Sequence, residues 1–212
     1  MTTDNDNSKA CKIVLVGDAG TGKTCIISRF VNNHFEKSQM TTACPSFCTK
    51  SVTYPEYNKT INLDIWDTAG QEIYRAISKL FYKGASVGVL VFDITNKKTF
   101  NSVKEYWYNQ LKENTDDNIS FTLVGNKIDL FEEEEIKEDE AIEFAKSINA
   151  EFYLTSAKKN VGISDIFLNA GKKFIDPNFS LDKNDENNNK GRNVRIKTIN
   201  KKEIAKENNA CC

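Results

Sequence analysis

The chain has 212 residues, 39% of them hydrophobic, and its 29 lysines and arginines nearly cancel its 30 aspartates and glutamates, leaving a net charge of −1. That length fits one compact domain plus a tail, and the charge balance excludes the strong basic field that would advertise nucleic acid as a partner. The opening MTTDNDNSKA is polar and acidic, which predicts no secretory signal, and no apolar run reaches the roughly 18 residues needed to span a bilayer.

From Cys11 the pattern alternates. The apolar run KIVLVG predicts a strand, and a glycine-rich turn then leads into a helix over residues 23–33. Two β-rich stretches, 47–54 and 60–66, joined by PEYN, predict a hairpin. A helix is expected over 72–81. The runs SVGVLVFD, ISFTLVGN and EFYLTS have the composition of strands buried on both faces. They precede helical segments expected over 97–113, 137–148 and 162–174. Strands alternating with helices predict an α/β fold with a doubly wound, mostly parallel, six-stranded sheet and about five helices over residues 11–175. The acidic run at 132–135 suits a solvated helix start. Residues 1–10 are expected to be a flexible start. Residues 176–212, rich in Asn and Lys and poor in large apolar side chains, are expected to form a disordered tail, because they cannot bury enough surface to offset their ordering entropy.

Cys11, Cys25, Cys44, Cys48, Cys211 and Cys212 lack paired CxxC spacing and read as neither a zinc site nor a disulfide framework. Cys44 and Cys48 with His34 want a fourth metal ligand at suitable spacing.

The chemistry is concentrated in four motifs. GDAGTGKT at 17–24 matches GxxxxGK[ST] between a strand and a helix. Glycines at Gly17, Gly20 and Gly22 let the backbone curl so that successive N–H groups face phosphates, and the helix N-terminus adds positive potential. The candidate phosphate contacts are Asp18, Ala19, Gly20, Thr21, Gly22, Lys23 and Thr24. Lys23 supplies a point charge to the β- and γ-phosphates, and the Thr24 hydroxyl is a Mg²⁺ ligand. NKID at 126–129 follows a predicted strand, at the end where open α/β sheets bind ligands. The Asp129 carboxylate can accept from guanine N1–H and N2–H₂, a donor pair that adenine lacks. TSAK at 155–158 places the Ala157 N–H to donate to guanine O6. Asn126, Lys127, Ser156 and Lys158 complete the candidate guanine site. In DIWDTAGQE at 64–72, Asp67 can hold Mg²⁺ through a water, the Gly70 N–H can reach a γ-phosphate, and Gln71 can orient the attacking water. An N-cap is the plainer role for Asp67.

These four motifs, in this order, resemble the Ras superfamily of small GTPases over roughly residues 11–174, and the Rab branch most. NLDIW before DTAGQE, IYRAI and FYKGA after it, FDIT at 92–95 and a terminal double cysteine are all similar to Rab signatures. Ras-type branches commonly end in a CaaX box instead, and the extra charged helix of Rho-like members is not seen. The resemblance implies a P-loop G domain that binds GTP or GDP with Mg²⁺ and hydrolyses GTP as a switch in vesicle traffic. It also implies an exchange factor, a GTPase-activating protein, effectors and a GDP-dissociation inhibitor as partners. It places Phe35 against the guanine ring and Thr42 as the Mg²⁺-sensing threonine of switch I. Here the chain departs from the Rab pattern, reading Ala43, Cys44 and Pro45 after Thr42, with Cys44 replacing a glycine. Ala19 stands where Rabs often carry serine.

Two alternatives from other classes remain. A P-loop kinase would need an acceptor pocket and a lid of phosphate-binding arginines, against which NKID, TSAK and the few arginines argue. A GTP-dependent scaffold that does not hydrolyse would fit the unusual switch I but not Gln71. Cys211 and Cys212 behind a Lys-containing tail are expected to be geranylgeranylated, anchoring the protein to the cytosolic face of an internal membrane. The sequence names neither the organelle nor the regulators.

Overall fold

A computed structural model describes residues 10–36, 42, 46–68, 81–116 and 118–179. Six strands form one sheet: β1 (Cys11–Val16), β2 (Ser46–Tyr54), β3 (Lys59–Asp67), β4 (Val87–Asp93), β5 (Ser120–Asn126) and β6 (Glu151–Thr155), in the order β2-β3-β1-β4-β5-β6. β2 and β3 pair antiparallel along their whole length, from Ser46 opposite Asp67 to Tyr54 opposite Lys59. The remaining pairs are parallel. Five helices are described: α1 (Lys23–Asn32), α2 (Lys97–Ser102), α3 (Tyr108–Asn114), α4 (Glu138–Ser147) and α5 (Ile163–Ile175).

The strand sequences explain this arrangement. All seven residues of β4 are buried, as a central parallel strand covered by helices on both faces requires. Because side chains alternate across a strand, β1 serves two cores. Val14 and Val16 join Leu90, Phe92 and Trp107 on one face, while Ile13 and Leu15 join Val89, Phe30 and Phe167 on the other. On that second face Phe30 of α1 stacks on Phe167 of α5 with ring centres 4.2 Å apart. β2, at the edge, alternates between exposed and half-buried residues. From β1 the chain goes first to β2 and β3 on one side of it and then crosses to β4, β5 and β6 on the other, so the turn after β1 lies at the switch point where open α/β sheets hold ligands.

The expected helix at 97–113 is interrupted. Between α2 and α3, Val103–Trp107 forms a π-helical turn, closed by the Tyr108 N–H on the Val103 carbonyl. The acidic run at 132–135 precedes α4 rather than opening it, and the first turn of α4 carries Glu138, Asp139 and Glu140. Within the run, the Glu135 carboxylate accepts the Lys97 N–H at 2.7 Å and caps α2 together with Asn96. The helix expected at 72–81 lies outside the described residues apart from Phe81, as do residues 1–9 and the tail beyond 179.

Tyr54 ties the edge strand to α5. Its ring is fully buried and its hydroxyl has no hydrogen-bond partner, and burial pushes that hydroxyl well above its usual pKa. A Cβ added at Gly171 would fall on that hydroxyl. Gly171→Ala should therefore destabilise the fold by about 1–3 kcal/mol, the usual cost of overpacking. Tyr54→Phe, which deletes an unpartnered buried polar group, should leave stability unchanged or raise it. Thermal unfolding of the two variants checks both signs.

Candidate functional site

The site is built at the carboxyl ends of β1, β3, β5 and β6. After β1 the chain turns sharply at Gly17, whose φ of +148° and contact with the Val91 carbonyl leave no room for a Cβ. Gly22, at φ +96°, runs so close to the Asn126 amide that a Cβ there would collide with it. Between these two, Ala19 and Gly20 face solvent.

Lys23, the first residue of α1, turns back under this loop. Its ammonium donates to the carbonyls of Gly17 at 2.7 Å and Asp18 at 2.9 Å and is 5% exposed. Burial pulls it down to about 8, against the opposing pull of the Asp67 and Asp18 carboxylates. The Thr21 hydroxyl donates to the same Asp18 carbonyl at 2.9 Å.

Beside Lys23, three oxygen-bearing side chains from separate elements meet. The Thr24 hydroxyl donates to Asp67 Oδ2 at 2.6 Å and lies 2.6 Å from the Thr42 hydroxyl. A hydroxyl has one proton, so Thr42 is the donor in the second bond. Asp67 is 2% exposed, and its other oxygen, Oδ1, has no hydrogen-bond partner. Burial raises its pKa, opposed by the Thr24 bond and the Lys23 charge. The Thr68 hydroxyl, bonded to the Leu15 carbonyl at 2.7 Å, holds this end of β3 against β1.

The second half of the site begins at Asn126. Its amide donates to the Thr21 carbonyl at 2.9 Å, and its Oδ1 accepts the Thr155 hydroxyl at 3.1 Å and the Ala157 N–H at 3.3 Å. One side chain thus joins the three loops. Lys127 adopts left-handed backbone and pairs with Asp93 at 2.6 Å. Asp129 accepts the Ser156 hydroxyl at 2.5 Å and lies 3.7 Å from the Lys158 ammonium. Phe35 packs on the edge of the α1–α5 core, with the Arg29 guanidinium 5.8 Å from its ring centre. Arg29 Nε also donates to the Ala157 carbonyl at 2.9 Å.

The structure thus gathers Asp18, Ala19, Gly20, Thr21, Gly22, Lys23, Thr24, Thr42 and Asp67 on one side of Asn126. Lys127, Asp129, Ser156, Ala157 and Lys158 lie on the other. Gly70, Gln71, Ala43, Cys44, Pro45, Cys211 and Cys212 lie outside the described residues. Sequence reading missed Asp93, whose signal was an acid ending a buried strand, and Arg29, for which α1 offered no signal. It also missed Phe47, which is 51% exposed and leans on Trp66 at 4.8 Å, with Phe81 5.3 Å beyond.

A glycine-built loop with a buried lysine at the switch point of a parallel sheet, joined to an Asn–Asp loop, defines a P-loop nucleotide-binding protein of the G-domain kind. The Ras family profile matches residues 12–176. Over 168 residues the chain is 44% identical to Ras-related protein RabJ of Dictyostelium discoideum, covering 79% of this chain and 64% of that protein. It is 39% identical over 165 residues to human Ras-related protein Rab-21, covering 78% and 72%. With dog Ras-related protein Rab-22A it shares 37% over 184 residues, covering 87% and 91%. The chain belongs to the Ras family, as a small GTPase of Rab type. That membership displaces the P-loop kinase alternative.

Asn126→Ala would strand the Thr21 carbonyl, the Thr155 hydroxyl and the Ala157 N–H, all three in buried residues. The expected outcome is a loss of about 1–3 kcal/mol in stability together with faster release of bound GDP. Chemical denaturation and displacement of fluorescent GDP measure the two effects.

Proposed function

We propose that this chain works as a GTP/GDP switch in vesicle traffic, with residues 17–24 cradling the phosphates, the 126–129 and 155–158 loops reading guanine, and Mg²⁺ completing the site. The observation that carries this reading is the Thr42–Thr24–Asp67 chain. It brings the switch I threonine onto the phosphate loop and leaves a buried carboxylate oxygen without a partner.

The donor set fits the cation. Two hydroxyls and a carboxylate are the all-oxygen ligands that Mg²⁺ takes, and it is commonly held through one or two carboxylates plus substrate phosphates. Thr24 and Thr42 would hold it directly and Asp67 through a water, and Mg²⁺ would supply charge neutralisation to the bound phosphates. The chain's own residues do the rest. Lys23, whose charge burial disfavours, gains an anionic partner in the β- and γ-phosphates. The Asp129 carboxylate accepts from the two guanine donors, and Lys127, braced by Asp93, lies alongside. Gln71 orients the water that attacks the γ-phosphate, giving GDP and phosphate. Loss of that phosphate removes what Thr42 senses, and the switch segments relax.

In a single-turnover assay, GTP hydrolysis should be slow and should stop on chelation of Mg²⁺, and in a nucleotide titration Thr24→Ala should lose the Mg²⁺ dependence of binding. Gln71→Leu should lower the basal rate. Turnover that ignores both EDTA and these substitutions refutes the assignment.

Exchange factor, activating protein, effectors and GDP-dissociation inhibitor belong to the same reading, and the exposed Phe47 on Trp66 offers effectors an aromatic surface beside switch I. Among the described residues no helix is long and apolar enough to cross a membrane. Membrane attachment falls instead to Cys211 and Cys212, since one lipid chain anchors only marginally and two anchor durably. Fractionation of cells expressing the Cys211→Ser/Cys212→Ser double variant should move the protein to the soluble pool with nucleotide binding intact. Membrane association equal to wild type refutes the anchor.

A further inference from the structure

Trp107 ends the π-helical turn between α2 and α3 and is 1% exposed. A buried indole N–H needs an acceptor. This one finds it 89 positions away, donating to Asp18 Oδ1 of the phosphate loop at 2.8 Å. A π turn carries one more residue per hydrogen-bonded ring than an α turn and so shifts the helix register, and such turns recur at functional sites.

The Asp18 carbonyl is the point of action. It accepts both the Lys23 ammonium and the Thr21 hydroxyl at 2.9 Å. The Asp18 side chain therefore faces the helix behind the loop while its backbone oxygen orients the charge that meets phosphate. Asp18 is half-buried, and Thr21 and Lys23 are both buried.

We propose that Trp107 is a positioning residue for nucleotide binding: its indole N–H holds Asp18, which in turn holds the Lys23 ammonium and the Thr21 hydroxyl in place, slowing nucleotide release. The inference rests on the reading of residues 17–24 as the phosphate cradle.

The test measures release of fluorescently labelled GDP from the full chain in Mg²⁺, chased by excess GDP. Trp107→Phe, which keeps the ring and removes the donor, should release GDP about tenfold faster, the scale of a hydrogen bond to a charged group. Asp18→Ala should do the same. The double variant should release no faster than either single one, because both remove one interaction. Asp18→Asn, which keeps an acceptor oxygen, should stay within about threefold of wild type. A merely structural role for Trp107 would accelerate release just as much when Asp18 is already gone, so multiplying effects overturn the proposal. Wild-type release from Trp107→Phe also overturns it. If that variant does not fold, Asp18→Ala decides alone, with tenfold faster release supporting the tether and an unchanged rate overturning it. Lys23→Ala separates the two levels: unchanged release there overturns the cradle and the tether together. Fast release from Lys23→Ala beside normal release from Trp107→Phe overturns the tether only.

Discussion

The nucleotide site depends on one buried amide. Asn126 is 2% exposed and uses both ends of its side chain, giving a proton to the Thr21 carbonyl and accepting from Thr155 and Ala157. These bonds cross from the loop after β1 to those after β5 and β6, so the two halves of the candidate site share a single geometry. The same contact dictates sequence at a distance, since Gly22 is the only residue that fits beneath the amide. Buried polar groups of this kind are stabilising only when every partner is present.

Charge is arranged with equal economy. Lys23 and Asp67 are both buried and opposite in sign, yet the lysine is held by backbone carbonyls and the carboxylate by a threonine hydroxyl. Burial disfavours the charged form of each. Two charges kept in low dielectric without direct pairing are a cost to the fold. Such a cost is expected where a ligand supplies the missing partners, and here an anion would meet the lysine and a cation the carboxylate.

Much of this was legible in the sequence, and the division has a physical basis. Apolar runs such as VGVLVFD and the strand–helix alternation carry the sheet because burial on two faces demands them. GDAGTGKT and NKID are legible because they are residue types at fixed spacing that the chemistry of phosphate and guanine would call for. The π turn at Val103–Trp107 leaves no such trace: no spacing or residue type in VKEYW marks it, and the partner of its Trp107 indole, Asp18, lies far along the chain. Glu135 was hidden in an acidic run that reads as solvated surface, although one of its oxygens caps α2. The Asp93–Lys127 pair joins two strand ends that only the parallel register brings side by side, with Asp93 opposite Asn126.

The contrast between the β2–β3 hairpin and the rest of the sheet bears on the order in which the chain folds. The hairpin pairs residues close in sequence, with Tyr54 meeting Lys59, and can zip without waiting for anything else. The parallel pairs close much larger loops: Cys11 meets Leu63, Ile13 meets Val87, and Val87 meets Ser120. Loop closure must precede the contacts that reward it, so non-local pairing is slow. The loops after β1, β5 and β6, which carry residues 17–24, 126–129 and 155–158, hang from those late-closing parallel strands. A ligand that recognises only the completed arrangement adds its binding free energy to the last steps of assembly, so the population of native chains rises with nucleotide concentration.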